Sequence, residues 1–353
     1  MSQVPGRGGL ESLPLAPVNP MPLRERLKAV KEFSTGTERL RDAGGYVTRF
    51  TVGPRWLMPP MVLVTSPAAL RDVLSIKDGS VDKTSPVFDE MRRIIGANLA
   101  DLPFEPWRPR RRTIQPVFTK QRVREFGGHM AQAAESVCAA WPDGGEADLD
   151  AESRALTLRA LGLSVLGMDL EARADDVAEP LRIALSYAIS RATRPVRAPH
   201  WLPTPARRRA REASAKLHRL AGDIVSECRR DPNRVAPLVH ALIAAEDPET
   251  GNRLSDNEIC DEIIIFLFAG HDTTATTLAY ALWSLGRDRA CQDRVVAEVG
   301  ALPDRPLTPD DLSSLGYTAQ VVRESLCPSF STMKKVESEI LWMETRQAKS
   351  III

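Results

Sequence analysis

One stretch of helical periodicity, from Ser255 to Arg287, constrains this chain more than any other part of it. Ser255-Asp256-Asn257-Glu258 has the pattern of a capping box, in which the serine hydroxyl accepts from the Glu258 amide and the glutamate reaches back. A helix of this length is roughly 50 Å long at 1.5 Å per residue, enough to cross a whole domain. Ile259, Ile263, Ile264, Ile265, Phe266, Leu267 and Phe268 place apolar surface on most sides of its first half, which predicts burial at the centre of a helical fold. The middle then reads Ala269-Gly270-His271-Asp272-Thr273-Thr274. Glycine weakens a helix by about 1 kcal/mol relative to alanine. A carboxylate and two hydroxyls need partners or a task in such a setting. Thr273 and Thr274 can bond carbonyls one turn earlier, which predicts a local opening of the helix. Two readings follow: a small polar pocket wall, or a glycine kink with self-satisfied threonines.

Most of the remaining chain is also helical in pattern, with apolar residues three and four apart near 87–95, 107–115, 119–141, 150–167, 171–194, 205–230, 235–246, 288–302 and 309–327. Leu23, Leu27, Val30 and Phe33 predict a further helix from Leu23 to Arg41, ending near Gly44-Gly45. Tyr46–Val52 alternates and is β-rich, and Met61–Thr65 forms a second short run. Gly53-Pro54 and Pro59-Pro60 lie between them, so a small antiparallel hairpin is expected. Ser66 with Pro67 starts a helix to about Leu74. Residues 1–21, rich in Pro and Gly, read as an extended, partly disordered leader. The fold class is mainly α with a small β appendage.

Net charge is +1 over 353 residues, which gives no global field for nucleic acid or membrane. Cys138, Cys228, Cys260, Cys291 and Cys327 are scattered, odd in number and without a CxxC pair, which argues for reduced thiols and against a disulfide framework or structural zinc. No apolar stretch has the length of a bilayer span, and the first twenty residues lack an apolar signal core. A cytoplasmic protein with no transmembrane anchor is expected.

The central Ala-Gly-x-Asp-Thr-Thr run resembles the oxygen-binding motif of the cytochrome P450 family. The resemblance implies that the long helix crosses the distal face of a haem. Ala269, Gly270 and Thr274 would then lie against the cofactor, with Asp272 and Thr273 as the catalytic pair steering protons and water. The residue types suit a relay, since a titratable group stands beside a hydroxyl that both donates and accepts. Trp107-Arg108-Pro109-Arg110-Arg111 is similar to the family's Trp-x-x-x-Arg signature, which implies that Trp107 and Arg111, one turn apart, hold a haem propionate. Gly96, Leu99 and Gln115-Pro116-Val117-Phe118 also match family sequence in order and spacing. Taken alone, Arg110, Arg111 and Arg112 read as a solvated basic face or a nucleic-acid patch. The basic cluster Arg191, Arg194, Arg197, Arg207, Arg208, Arg209 and Arg211, with Trp201, occupies roughly the family's substrate-access region, but the plainer reading is a solvated helix face.

Two further family motifs are not met. Val321–Leu326 leads into the Glu-x-x-Arg motif with Glu324, but the arginine position is Cys327, followed by Pro328. A buried Glu324 without its cation would be costly or protonated. The haem loop Phe-x-x-Gly-x-x-x-Cys-x-Gly is absent, so no metal ligand is assigned: the proximal haem cysteine is missing. Arginine outnumbers lysine about six to one up to Cys327. Pro328–Ile353 reverses this, with Lys334, Lys335 and Lys349 against Arg346 alone, and reads as foreign sequence from a frameshift or insertion, the plainer alternative being an ordinary variable C-terminal helix. The expected organisation is therefore a leader over 1–21, a partial P450-like domain lacking its C-terminal haem-ligand region over 22–327, and an unrelated tail over 328–353.

The resemblance implies a haem-dependent monooxygenase acting on a small hydrophobic organic substrate, with a ferredoxin- or flavoprotein-type redox partner. The missing thiolate implies an inactive product, with exposed apolar faces on the central helices. The alternatives are a non-catalytic helical fragment that keeps only a binding or interaction surface, and a helical regulator binding DNA through Arg108–Arg112. The low net charge and the lack of helix-turn-helix spacing count against the last, so no nucleic-acid partner is expected.

Overall fold

The structure, a computed structural model, describes residues 15–326 except 55–57, 77–78, 142–143, 145, 171–173, 195–196 and 306, together with 351–352. The expectations for residues 1–14, for Cys327 and for most of the tail lie outside these. The chain divides into two compact units. The first comprises the described residues up to Val81 with Arg194 and Arg197, and the second Asp82–Thr193 and the described residues from Ala198 onward.

In the first unit, α1 (Leu23–Lys31) and α2 (Phe33–Gly44) replace the single helix expected over Leu23–Arg41. The chain breaks at Glu32 (φ −97°, ψ 83°) and doubles back. Gly36 makes this possible, because a Cβ there would sit 1.7 Å from the Ala29 carbonyl oxygen. The expected hairpin is present as β1 (Val47–Phe50) and β2 (Met61–Val64), antiparallel with Thr48 opposite Leu63 and Phe50 opposite Met61. α3 (Pro67–Ser75) starts at Ser66, whose hydroxyl accepts from the Ala69 N–H. Ala29, Leu40, Phe50, Val52 and Met58 form the core of this unit. The second half of the presumed leader is pinned to β1: Arg49 N–H donates to Pro17 O and Asn19 N–H to Arg49 O, both at 2.7 Å, and buried Asn19 donates to Leu40 O.

The second unit is helical: α4 (Pro86–Ile95), α5 (Phe104–Ile114), α6 (Lys120–Glu125), α7 (Gly127–Cys138), α8 (Leu149–Leu161), α9 (Ala174–Thr193), α10 (Pro205–Arg230), α11 (Pro237–Ala244), α12 (Asp256–Arg287), α13 (Arg289–Gly300) and α14 (Gly316–Leu326). Glu146–Ala147 pairs antiparallel with Ile351–Ile352. α12 is the long helix. Its capping box forms as the sequence requires, and it ends where Asp288 leaves helical geometry to cap α13 through the Cys291 N–H. Ile259, Ile263, Ile264, Ile265 and Leu267 of α12 join Leu158 and Leu166, Leu181 and Leu185 of α9, Leu217 and Ile224 of α10, and Leu238 and Leu242 of α11 in one core. Mainly α with a small antiparallel sheet is therefore the observed class.

Two expectations on side-chain setting are corrected. Arg191 and Arg207 are buried rather than solvated. Arg191 Nε binds Glu90 at 2.8 Å, and Arg207 gathers the carbonyls of Ala198, Pro199, His200 and Leu202 and the Tyr187 hydroxyl. A guanidinium has enough donors to replace several turn hydrogen bonds at once, so two members of the cluster serve the interior. Glu324 is exposed and Ser325 is the buried member of α14, so the desolvation penalty considered for Glu324 does not arise. Large apolar residues are exposed on α13 and α14, among them Val296, Val299, Val322 and Leu326.

Candidate active-site wall

The centre of α12 stays helical. Thr273 Oγ1 donates to Ala269 O at 2.5 Å, Thr276 Oγ1 to Asp272 O at 2.9 Å and Thr277 Oγ1 to Thr273 O at 2.9 Å. The predicted local opening is not seen, because each of these hydroxyls is satisfied one turn back without displacing the backbone bond. Successive residues turn by about 100° in a helix, and this sorts the segment into faces. Ala269, Thr273, Thr274 and Thr276 are exposed on one side, while His271 and Ala275 are buried on the other. Gly270 is half-buried between them and faces α8, where an added Cβ would lie 2.9 Å from Leu161 Cδ2.

α8 supplies the polar partners. Arg154 bridges Asp150 (2.9 Å) and Asp272 (2.5 Å), so the Asp272 carboxylate is held towards α8 and not on the Thr273 side. His271, only 5% exposed, meets Thr157 Oγ1 through Nδ1 at 3.1 Å. Burial, reinforced by the nearby Arg154 charge, lowers the His271 pKa and so favours the neutral ring. Sequence pattern alone did not single out Arg154 or Thr157. An arginine and a threonine three apart on an amphipathic helix carry no signal until their partners are known.

The arginine triplet of α5 separates into three roles. Arg110, 8% exposed, binds Glu262 at 2.8 Å and Glu258 at 2.5 Å. Arg112 pairs with buried Asp247 at 3.0 Å and with Glu249 at 2.8 Å, and this pair holds Asp247 down at about 2. Arg111 is exposed and has no carboxylate within ion-pairing distance among the described residues. Its guanidinium lies over the Trp107 ring, 5.2 Å from the centroid, with Lys83 Nζ 5.4 Å from the same ring. The helical spacing thus brings Trp107 and Arg111 together as expected, with Lys83 added.

α12 fastens the Gly96–Leu99 turn through two adjacent carboxylates. Asp261 Oδ2 accepts from the Ala97 N–H at 2.9 Å, and Glu262 Oε2 from the Leu99 N–H at 3.2 Å. Lys83 Nζ donates to Leu99 O at 2.9 Å, so the Trp107 cluster joins α12 through one residue. Glu262 to Ala269 is about 10 Å along the helix axis at 1.5 Å per residue. Gly96 has φ +87°, and a Cβ there would fall 2.0 Å from Asp261 Oδ1. Glu262 is fully buried, and burial pushes its pKa up to about 7 against the pull of Arg110. Asp101, also buried, is pushed up to about 6. His218 of α10 completes the group. Its Nδ1 meets Ser214 O at 2.8 Å and its Nε2 meets Asp261 Oδ1 at 3.0 Å, so both ring nitrogens face acceptors, and the Asp261 bond raises its pKa.

The residues fit part of a haem site. Arg111 with Lys83 suits a carboxylate of the macrocycle, and the small exposed side of Ala269–Thr273 suits close approach of a flat ring. Among the described residues no cysteine is set as an axial thiolate. Cys228 and Cys260 are buried, which raises both thiols, Cys260 to about 11. Cys138 ends α7 exposed, and Cys291 is half-buried at the start of α13. Among the described residues no group of His, Cys, Asp and Glu is placed to hold a metal ion, and no helix is long and apolar enough to cross a membrane.

Comparison with known proteins gives a consistent result. The family model described as Cytochrome P450 matches residues 27–328. The chain is similar to a cyclooctat-9-en-7-ol 5-monooxygenase of Streptomyces melanosporofaciens, with 34% identity over 78% of this chain and 61% of the relative. It is similar to a pentalenene oxygenase of Streptomyces avermitilis, with 30% identity over 80% of this chain and 62% of the relative. It also resembles a bifunctional cytochrome P450/NADPH–P450 reductase of Alternaria alternata, with 29% identity over 67% of this chain and 23% of that protein. The chain thus spans about three-fifths of the length of the first two relatives.

Proposed function

The chain belongs to the cytochrome P450 family, and from that premise we propose that its second unit carries the oxygen-side wall of a haem-dependent monooxygenase site. The observation that carries this reading is Thr273: an exposed hydroxyl on a buried helix, bonded only to the Ala269 carbonyl of its own turn, one residue after a carboxylate anchored by Arg154. Haem, when bound, supplies the activation of dioxygen for insertion into an organic substrate.

The chain's own residues would do the rest. Ala269 and Thr274 leave room for the ring on the exposed side, Gly270 lets α8 pack closely behind them, and Trp107, Arg111 and Lys83 bind the ring's carboxylate edge. Thr273 Oγ1 keeps its lone pairs free while it donates to Ala269 O, so it accepts a hydrogen bond from water, and its own O–H becomes available to a new acceptor when it turns off the carbonyl. Asp272 exchanges protons with solvent water beside it, and Arg154 fixes where that exchange occurs. The substrate is a small hydrophobic molecule. One relative is named for an unsaturated alcohol and another for an alkene. Electrons come from a ferredoxin- or flavoprotein-type partner; one relative is named as a P450 joined to its reductase.

None of Cys138, Cys228, Cys260 and Cys291 is set as an axial ligand, and Cys327 stands in the sequence without the glycines of the family's haem loop, so we assign no turnover to the 353-residue chain on its own. Haem titration of the purified chain, followed by reduction and carbon monoxide, tests both parts. Haem uptake without a thiolate-type Soret band is expected, with affinity about tenfold weaker in Arg111→Ala, the equivalent of about 1.4 kcal/mol. A thiolate-type band that disappears on a Cys→Ser change would overturn the ligation argument. Equal haem affinity in Trp107→Ala, Arg111→Ala and the parent chain would remove the propionate assignment.

A further inference from the structure

We propose that the first unit contains a binding site for a small oxyanion, a phosphate or an organic carboxylate, between Arg26 of α1 and Arg49 of β1. A cavity of about 150 Å³ lies there, lined by Val18, Arg26, Arg49, Phe50, Thr51 and Pro60. Both guanidinium Nε atoms are buried and have no hydrogen-bond partner among the described residues. A buried N–H left without an acceptor is costly, and a charged one more so. Two guanidinium groups against one small cavity, with no carboxylate beside either, is an arrangement that an oxyanion resolves, since it brings the missing negative charge to both at once.

The surrounding acids are otherwise engaged. Glu25 and Glu32 bind Arg39, and Asp42 binds Arg41. No carboxylate among the described residues lies within ion-pairing distance of Arg26 or Arg49. The frame is rigid where it matters. The Arg49 backbone is bonded on one side to Pro17 and Asn19, and on the other it stands opposite Val62 in the hairpin. The walls give a second chemical constraint. Val18, Phe50 and Pro60 are apolar, and Thr51 adds one hydroxyl donor, so the cavity takes a compact anionic head with little room for a second charged group. The cluster shares no residue with the α12 wall or with the Trp107 group, and it stands whether or not haem binds.

Calorimetric titration of the full chain at low salt, with inorganic phosphate in one arm and butyrate in the other, tests the proposal. At least one anion is expected to bind with 1:1 stoichiometry, and the stronger arm identifies the source. Arg26→Met and Arg49→Met should each weaken that binding at least tenfold. Arg24→Met, an equal loss of charge on the exposed side of α1, should change it less than twofold. Should either Met variant lose its far-UV dichroism, Arg26→Lys and Arg49→Lys keep the charge while removing the Nε donor, and the same weakening is expected. No 1:1 binding of either anion by the parent chain, or equal affinity in Arg24→Met and the Arg49 variants, would overturn the site.

Discussion

The two halves of α12 share one backbone and one helical geometry but have opposite surroundings. From Ile259 to Leu267 the helix is largely enclosed, and even Glu262, one of its two acids, is fully buried. From Ala269 to Arg287 only His271, Ala275 and Ala281 are buried, and the threonines face outward. The first half uses carboxylates to hold neighbouring backbone: Asp261 and Glu262 take the amides of Ala97 and Leu99, and Arg110 closes over Glu262. The second half keeps the Thr273, Thr276 and Thr277 hydroxyls on its own carbonyls and takes one outside cation, Arg154. Chemistry that fixes a fold and chemistry left available for a ligand thus stand a few turns apart on one rod.

This contrast is most easily broken by truncating its enclosed side. Ile264→Ala, at 1% exposure, should cost about 2–5 kcal/mol of unfolding free energy by urea titration, because the cavity cannot collapse among packed helices. A cost below 1 kcal/mol would mean that the first half is not the core. Arg110→Met comes next, at about 3 kcal/mol near pH 8, since it leaves Glu262 and Glu258 without their cation. The cost should shrink near pH 5. The folded Glu262 carboxyl titrates at about 7 against the usual 4.5, so its contribution is full below about 4.5 and is lost as pH rises through 7. Without Arg110 the carboxyl stays protonated to higher pH still, so the penalty grows with pH. A variant cost that does not change between pH 5 and pH 8 would count against Glu262 as the titrating group.

His218→Gln sharpens the same side with a smaller effect. The Asp261 bond raises the folded His218 pKa, so the parent loses stability as pH rises through that raised value. The variant should lack this fall above pH 6.5, as read from the urea midpoint across a pH series. The smallest effect belongs to the open half. Thr273→Ala should shift stability by no more than about 0.5 kcal/mol, since the hydroxyl is exposed and its one bond is local. A loss above 2 kcal/mol would show that Thr273 belongs to the scaffold and not to a site.

Much of this contrast was legible in the residues themselves. The Ser255–Glu258 cap, the isoleucine run and the Ala269–Thr274 interruption fixed the helix, its buried half and its polar centre. The hairpin and the Ser66 cap followed from alternation and from Ser-Pro. What could not be read was pairing at long sequence distance. Arg110 with Glu262 is 152 positions apart, Arg154 with Asp272 is 118 and Arg191 with Glu90 is 101, and a charge in a sequence row looks solvated until its partner arrives. The break at Glu32 was missed for a related reason. Apolar spacing continues through it, and only the later contact of Gly36 with Ala29 makes the reversal necessary.

The Asp261–Glu262 clasp has one more consequence. Its two acids grip main-chain amides, which nearly every amino acid presents alike. Positions 97 and 99 are therefore open to wide side-chain replacement, and the single residue the clasp forbids at either is proline, which brings no N–H to be gripped.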